Sequence, residues 1–148
     1  YKQDMLQLIR PQLIVGNGWG QVASTMSSYV APEAIYLHEF ARQLAQARVA
    51  VNVHRVPDVG VTRRLFEFSA CTLCITDRVP GVEEILGKDL ADRVSFRTAE
   101  EGRVLLEYFL HHPAERADAW AAERQAIAGY TYEHLARQII QFADVQYC

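Results

Sequence analysis

Short runs of apolar residues alternate along this chain with longer segments that have helical periodicity. The apolar runs predict strands at residues 12–15, 49–53, 73–76 and 94–96, with a further short strand near Tyr29 and Val30. Because these runs are continuous rather than alternating, they are typical of strands that are buried on both faces. Helical segments separate the strands, so the pattern predicts βαβ units and a parallel sheet.

The helical segments have recognisable starts. Helices are predicted at residues 33–46, at 65–71 with Thr62 as the N-cap, and at 82–86. Three more begin at a capping box of Thr98 and Glu101, at Pro113, and at Thr131, and Gly129 can end the second of these. The pattern therefore predicts an α/β fold with a short parallel sheet and a helical C-terminal tail.

Two of the last three helices carry apolar stripes. The positions expected to face inward in the helix after Thr98 are Val104, Leu105, Tyr108 and Phe109. The apolar face of the final helix consists of Leu135, Ile139, Ile140 and Phe142.

Length and composition suit one domain. The chain has 148 residues, half of them hydrophobic, and a net charge of −3, so it can bury a core but has no field that would attract nucleic acid. No apolar run approaches the ~18 residues that a membrane-spanning helix needs, and no signal-peptide pattern opens the chain. We therefore expect a cytoplasmic protein without a transmembrane segment. Since the chain begins at Tyr1 rather than Met, we also expect a fragment of a larger protein.

The three cysteines argue against a disulfide framework. Their number is odd, which favours a reducing compartment. Cys71 and Cys74 form a CxxC pair, but the pair ends a predicted helix and enters a strand, whereas redox pairs open a helix after a strand. A second pair that could complete a metal site does not exist. Both residues are expected to be small buried hydrophobes.

An electrostatic anomaly marks the helix that follows Thr62. The beginning of a helix has unpaired N–H groups and partial positive charge, so Arg63 and Arg64 are unfavourably placed there. Two arginines in tandem are explained if an anion such as a phosphate group binds at that end. Glu67 lies one turn further on, among mostly hydrophobic positions. It either pairs with Arg63 or Arg64 or is available to a ligand.

Other candidates follow from topology. In open α/β sheets, ligands bind beyond the carboxyl ends of the strands. Gly16 and Gly18 follow the first strand, and His54 follows the third, so we expect them near Thr62 at one edge of the sheet. Each has a structural alternative. The glycines lack a full dinucleotide fingerprint because Gln21 occupies the third glycine position. A histidine after a strand, such as His54, is more often part of a hydrogen-bonded structure than a catalytic base.

Several motifs in order resemble the C-terminal domain of GT-B glycosyltransferases, in particular the group 1 proteins of spore-maturation type. The central motifs are TRRLFE at 62–67, AC at 70–71, ITD at 75–77 and PGVEE at 80–84. Flanking segments agree: VGNGW at 15–19, VNVH at 51–54 and YTYEH at 130–134. The resemblance extends over residues 13–143, and these motifs are fairly specific in this order and spacing.

The resemblance implies a single Rossmann-like, three-layer domain over residues 1–148 that binds a nucleotide-diphosphate sugar as the donor substrate, with no tightly bound cofactor and no metal. Glu67 would accept hydrogen bonds from the ribose hydroxyls. Arg64, with Arg63 and the N–H groups after Thr62, would hold the diphosphate. The acceptor-binding half would be a separate N-terminal domain that is missing here. Val59 replaces a glutamate of related retaining enzymes, which leaves retention or inversion of the anomeric centre open.

Two other functions are compatible with the same residues. The chain could be a non-catalytic module that binds a nucleotide or phosphate. It could also be a flavodoxin-like interaction domain in which Arg63, Arg64 and Glu67 form only surface ion pairs. Nucleotide binding distinguishes these functions, because only the last of them predicts none.

Overall fold

The computed structural model describes residues 2–10, 13–14, 29–30, 37–54 and 60–146. In chain order the elements are α1 (Lys2–Ile9), β1 (Leu13–Ile14), β2 (Tyr29–Val30), α2 (Leu37–Gln46), β3 (Val49–Asn52), α3 (Arg63–Cys71), β4 (Leu73–Asp77), α4 (Val82–Leu86), α5 (Lys88–Val94), β5 (Ser95–Phe96), α6 (Ala99–His111), α7 (Pro113–Ile127) and α8 (Tyr132–Gln146). No helix in this described part is long and apolar enough to cross a membrane.

Every described strand pair is parallel, as the sequence pattern predicts. β4 lies between β3 and β5 in a three-stranded sheet, and β1 pairs with β2 separately. All five residues of β4 are buried, so both faces of the central strand are covered. α3 packs on β3 and β4, and α7 packs on β4 and on α3. α6 packs on β3, β4 and β5, and α1 packs on α6. The fold is α/β and Rossmann-like, with helical layers around a short parallel sheet and a helical C-terminal region.

A buried carboxyl group completes the open edge of β4. β5 is only two residues long and pairs with Thr76 and Asp77, so it does not reach the N–H group of Cys74. Glu123 of α7 accepts that N–H at 2.9 Å through Oε2. Burial raises the pKa of Glu123 from its ordinary 4.5 to about 8, although the hydrogen bond from Cys74 acts in the opposite direction.

The CxxC pair lies where the sequence places it. Cys74 is buried in β4 as expected, whereas Cys71, the last residue of α3, is only half-buried, so the prediction of burial is wrong for Cys71. Both are free thiols, and burial raises the pKa of the Cys74 thiol well above its ordinary range. Cys74 therefore acts as a small core residue.

The predicted inner face of α6 is partly wrong. The capping box of Thr98 and Glu101 is present, but Val104 is 68% exposed and Tyr108 is 42% exposed. The buried face instead follows Gly102, Leu106 and Phe109. Glycine contributes no side chain to a hydrophobic pattern, so its place at the centre of this face is not visible in the periodicity.

The apolar face predicted for α8 exists but is exposed. The helix begins as expected, because the hydroxyl oxygen of Thr131 accepts the N–H of His134 at 3.1 Å. The four residues of the predicted face are 51–68% exposed: Leu135, Ile139, Ile140 and Phe142. The described part of the chain thus leaves this stripe uncovered.

Gly102→Ala is expected to destabilise the fold. A Cβ atom at this position would lie 2.9 Å from Cδ1 of Ile9 and 3.1 Å from the buried ring of Phe96. Overpacking of this kind costs about 1–3 kcal/mol, whereas alanine gains at most about 1 kcal/mol in helix propensity. Urea unfolding should therefore show a net loss of about 1 kcal/mol, and of at most about 2 kcal/mol. Gly129→Ala is the control, because a Cβ atom there meets nothing within 4 Å. Equal or greater stability of Gly102→Ala would show that α1 and α6 are not in close contact.

Candidate functional site

The candidate site begins at the start of α3. Thr62 occupies the N-cap position with extended backbone angles (φ −96°, ψ 161°), but its side chain makes no capping hydrogen bond. The first turn of α3 contains Arg63 and Arg64 and no acidic residue. As in any α-helix, the first N–H groups have no partner within the helix, so partial positive charge accumulates here. The arginines add two full charges to it.

A buried hydrogen-bonded chain ties this helix start to the ends of β3 and β4. Asp77, the last residue of β4, receives the backbone N–H of His54 at 3.1 Å on each carboxylate oxygen. Its Oδ1 also lies 2.5 Å from Nδ1 of the imidazole. On the other side of the ring, Nε2 accepts the N–H of Thr62 at 3.2 Å. Because Nε2 accepts, Nδ1 carries the ring proton and donates a hydrogen bond to Asp77.

In this arrangement His54 is part of a hydrogen-bonded structure, which is one of the two roles considered from the sequence. The imidazole is fully buried, and both of its nitrogens are used internally. In the capping box of α6, Glu101 receives the N–H of the N-cap residue. The corresponding position of α3 is Leu65, whose side chain has no hydrogen-bond acceptor. His54, which follows β3, accepts the N–H of the N-cap residue Thr62 instead.

Glu67 pairs with both arginines. Oε2 lies 2.7 Å from Nη1 of Arg64, and Oε1 lies 3.3 Å from Nε of Arg63. Arg64 also lies over the ring of Phe40 at 5.0 Å. The three charged side chains are 35–71% exposed, and pairs of this kind contribute only about 0–1 kcal/mol. They therefore do not hold the fold together, and a ligand can open them at little cost.

Lys2 adds a third cation that sequence reasoning missed. It begins α1 and is half-buried; burial lowers its pKa, while the charge of Asp77 raises it and that of Arg64 lowers it further. Its ammonium group is thus within electrostatic reach of both residues. The signal that could have found α1 is the apolar spacing of Met5 and Ile9, which are buried.

The turn that precedes α4 packs against Val61, next to the N-cap residue of α3. Gly81 has φ +92°, a conformation that disfavours other residues, and a Cβ atom there would lie 3.3 Å from Val61. Glu83 of α4 pairs with Arg78 at 2.6 Å, and Arg78 also reaches Asp92 of α5 at 2.7 Å. Glu83 therefore has a structural partner in Arg78, and it also lies at a helix start, where acidic residues are favoured.

The structure thus brings together Thr62, Arg63, Arg64 and Glu67 at the start of α3. His54 is hydrogen-bonded to the N–H of Thr62. Gly16 and Gly18 lie outside the described residues, so their part in the site stays a prediction. A direct contact between His54 and a donor also stays a prediction. Within the described ranges, no group of three or more His, Cys, Asp or Glu side chains could hold a metal ion.

Comparison with known proteins supplies a family. A family model described as glycosyl transferase-like matches residues 3–141, which include α3 and the ends of β3 and β4. No curated protein sequence matches the chain. No solved structure matches it either.

Proposed function

The chain belongs to the glycosyl transferase-like family, and we propose that it is the nucleotide-sugar-binding domain of a GT-B glycosyltransferase of the group 1, spore-maturation type. The observation that carries the proposal is the start of α3. Arg63 and Arg64 occupy a first helical turn without acids, and Glu67 lies one turn further on. Positive charge and unpaired N–H groups at a strand-end edge suit a diphosphate.

The arginines and the first N–H groups of α3 would hold the diphosphate. During transfer, the bond between the sugar and the diphosphate oxygen breaks, and its electron pair stays on that oxygen. The sugar carbon forms a new bond to the nucleophilic atom of the acceptor, which loses a proton to solvent. Fixed positive charge at Arg63 and Arg64 stabilises the departing nucleoside diphosphate, and such preorganised charge is often the largest contribution to catalysis.

Glu67 would accept hydrogen bonds from the ribose hydroxyls. Its carboxylate is partly exposed and adjacent to both arginines, so it can reach a nucleoside whose diphosphate they hold. Each carboxylate oxygen has two acceptor positions. Ribose binding and one arginine contact are therefore compatible at the same time.

The proposal also covers the remaining residues of the donor site and the place where the acceptor binds. Thr62 belongs to the diphosphate end, Gly16 and Gly18 are further candidates for contact with the donor, and His54 belongs to the site through its hydrogen bond with Thr62. In a GT-B enzyme the acceptor binds to a second domain, so we propose that sugar transfer needs more than this domain. The donor is a substrate, and no resident cofactor enters the proposal.

Glu67→Ala separates the two halves of the proposed site. Loss of hydrogen bonds to a charged group costs about 1.5–3 kcal/mol, so affinity for the preferred nucleoside diphosphate should fall about tenfold or more. Affinity for inorganic pyrophosphate should not fall, because the variant removes a negative charge beside the arginines. Titration calorimetry with both ligands measures this.

The matched control is Glu133→Ala. Glu133 pairs with Arg137 one turn along α8 at 2.6 Å, and both side chains are exposed, so the control removes a similar surface pair elsewhere. Unchanged nucleoside diphosphate affinity in Glu67→Ala would rule out the ribose contact. A fall in pyrophosphate affinity would show that Glu67 acts by positioning the arginines.

A further inference from the structure

The imidazole of His54 links the end of β4 to the start of α3. Asp77 is the last residue of β4, His54 lies two residues beyond the end of β3, and Thr62 is the N-cap of α3. The link comprises the contact between Nδ1 and Asp77 at 2.5 Å and the bond from the N–H of Thr62 to Nε2 at 3.2 Å. His54 and Asp77 are almost fully buried, so water does not compete effectively for these groups.

We infer that His54 and Asp77 are positioning residues of the donor site. Asp77 fixes the tautomer and orientation of the imidazole, and Nε2 fixes the residue at which α3 begins. This inference rests on the proposed function, since it gives both residues a role in nucleotide-sugar binding without direct contact to the ligand.

The consequence for binding follows from the sequence. Arg63 directly follows the anchored Thr62, and Arg64 and Glu67 lie within the next turn and a half. The Thr62 side chain makes no capping bond, so His54 supplies the anchor that a capping box supplies at α6. Without it, the first turn of α3 can unwind, and the arginines lose their fixed position relative to the strand ends.

Two substitutions at His54 separate the two hydrogen bonds. The amide of glutamine reaches the place of Nε2, so His54→Gln retains an acceptor for the N–H of Thr62. The amide of asparagine reaches only the place of Nδ1, so His54→Asn retains the contact with Asp77 and loses that with Thr62. The control is Thr76→Val, which removes a neighbouring buried bond at 3.1 Å from Asn52 between the same two strands. It leaves the α3 anchor intact.

The experiment measures nucleoside diphosphate affinity and thermal stability for each variant, with hydrogen exchange at the Thr62 amide. We expect His54→Asn to lose affinity at least tenfold and to expose the Thr62 amide to exchange. His54→Gln should bind within about threefold of the wild type. Thr76→Val should lose stability but bind within about threefold. In the wild type, imidazole nitrogen shifts should report a proton on Nδ1 and none on Nε2.

Two results would overturn the inference while leaving the donor site in place. One is affinity in His54→Asn within threefold of the wild type. The other is an equal loss of affinity in His54→Asn and Thr76→Val, which would indicate general destabilisation. If the wild type binds no nucleoside diphosphate, the proposed function fails. In that case the role of His54 in positioning α3 is tested by hydrogen exchange at the Thr62 amide in His54→Asn and by the tautomer of the imidazole. Fast exchange of this amide in the wild type, or a proton on Nε2, would overturn that role.

Discussion

Replacing Arg63 and Arg64 together by alanine is expected to weaken nucleoside diphosphate binding by about 100-fold or more. Hydrogen bonds to charged groups contribute about 1.5–3 kcal/mol each, and two arginines supply at least two of them. The loss should be the same for inorganic pyrophosphate, since these side chains face the diphosphate rather than the nucleoside. Titration calorimetry with both ligands measures the change.

The matched control for this double variant is Arg103→Ala with Arg137→Ala. Each of these arginines pairs with a glutamate one turn away on an exposed helix surface, as Arg63 does with Glu67. Both double variants should keep nearly wild-type stability, because exposed pairs contribute only about 0–1 kcal/mol each. Equal affinity of the two double variants for nucleoside diphosphates would show that the α3 arginines form surface pairs only.

The stability of the protein is expected to fall as the pH rises from about 4.5 to about 8, and Glu123→Gln should remove this dependence. The pKa of Glu123 is about 8 in the folded state against 4.5 ordinarily, so the folded protein holds a proton that the unfolded chain releases. The stabilisation is therefore complete below pH 4.5 and is lost through pH 8. The contribution is on the order of 4–5 kcal/mol.

Glutamine retains an oxygen acceptor for the N–H of Cys74 and carries no charge. Glu123→Gln should therefore resemble the wild type near pH 5 and exceed it in stability above pH 8 by several kcal/mol, on the order given by the pKa difference. Urea unfolding across this pH range measures the effect. Glu115→Gln, at an exposed position of the same helix, is the control and should change little. Parallel pH profiles for the wild type and Glu123→Gln would mean that the buried carboxyl does not hold its proton.

Local signals were sufficient to predict the start of α3 and the neighbouring strands. The continuous apolar runs correspond to β3 and β4 within one residue at their ends, because strands buried on both faces need apolar residues at every position. Thr62 and the tandem arginines marked the helix start. The pairing of Glu67 with both arginines was one of the two alternatives, since helical spacing alone brings these side chains together.

The groups that the sequence did not predict depend on contacts between distant residues. Asp77 and Glu123 receive bonds from residues 23 and 49 positions away, and nothing in their local patterns indicates these partners. α1 is short, and its burial depends on close approach to Gly102 of α6. The prediction of the inner face of α6 was wrong for the same reason. Gly102 marks the buried face only because α1 packs against it, and that contact is not visible in the local sequence.

Titration of the wild-type domain with UDP, GDP and CDP tests the donor-site assignment most directly. We expect saturable binding of one nucleoside diphosphate per chain, with backbone amide shifts in NMR spectra concentrated at residues 62–67. Binding with shifts elsewhere, or no binding of any of the three, would contradict the assignment of α3 as the donor site.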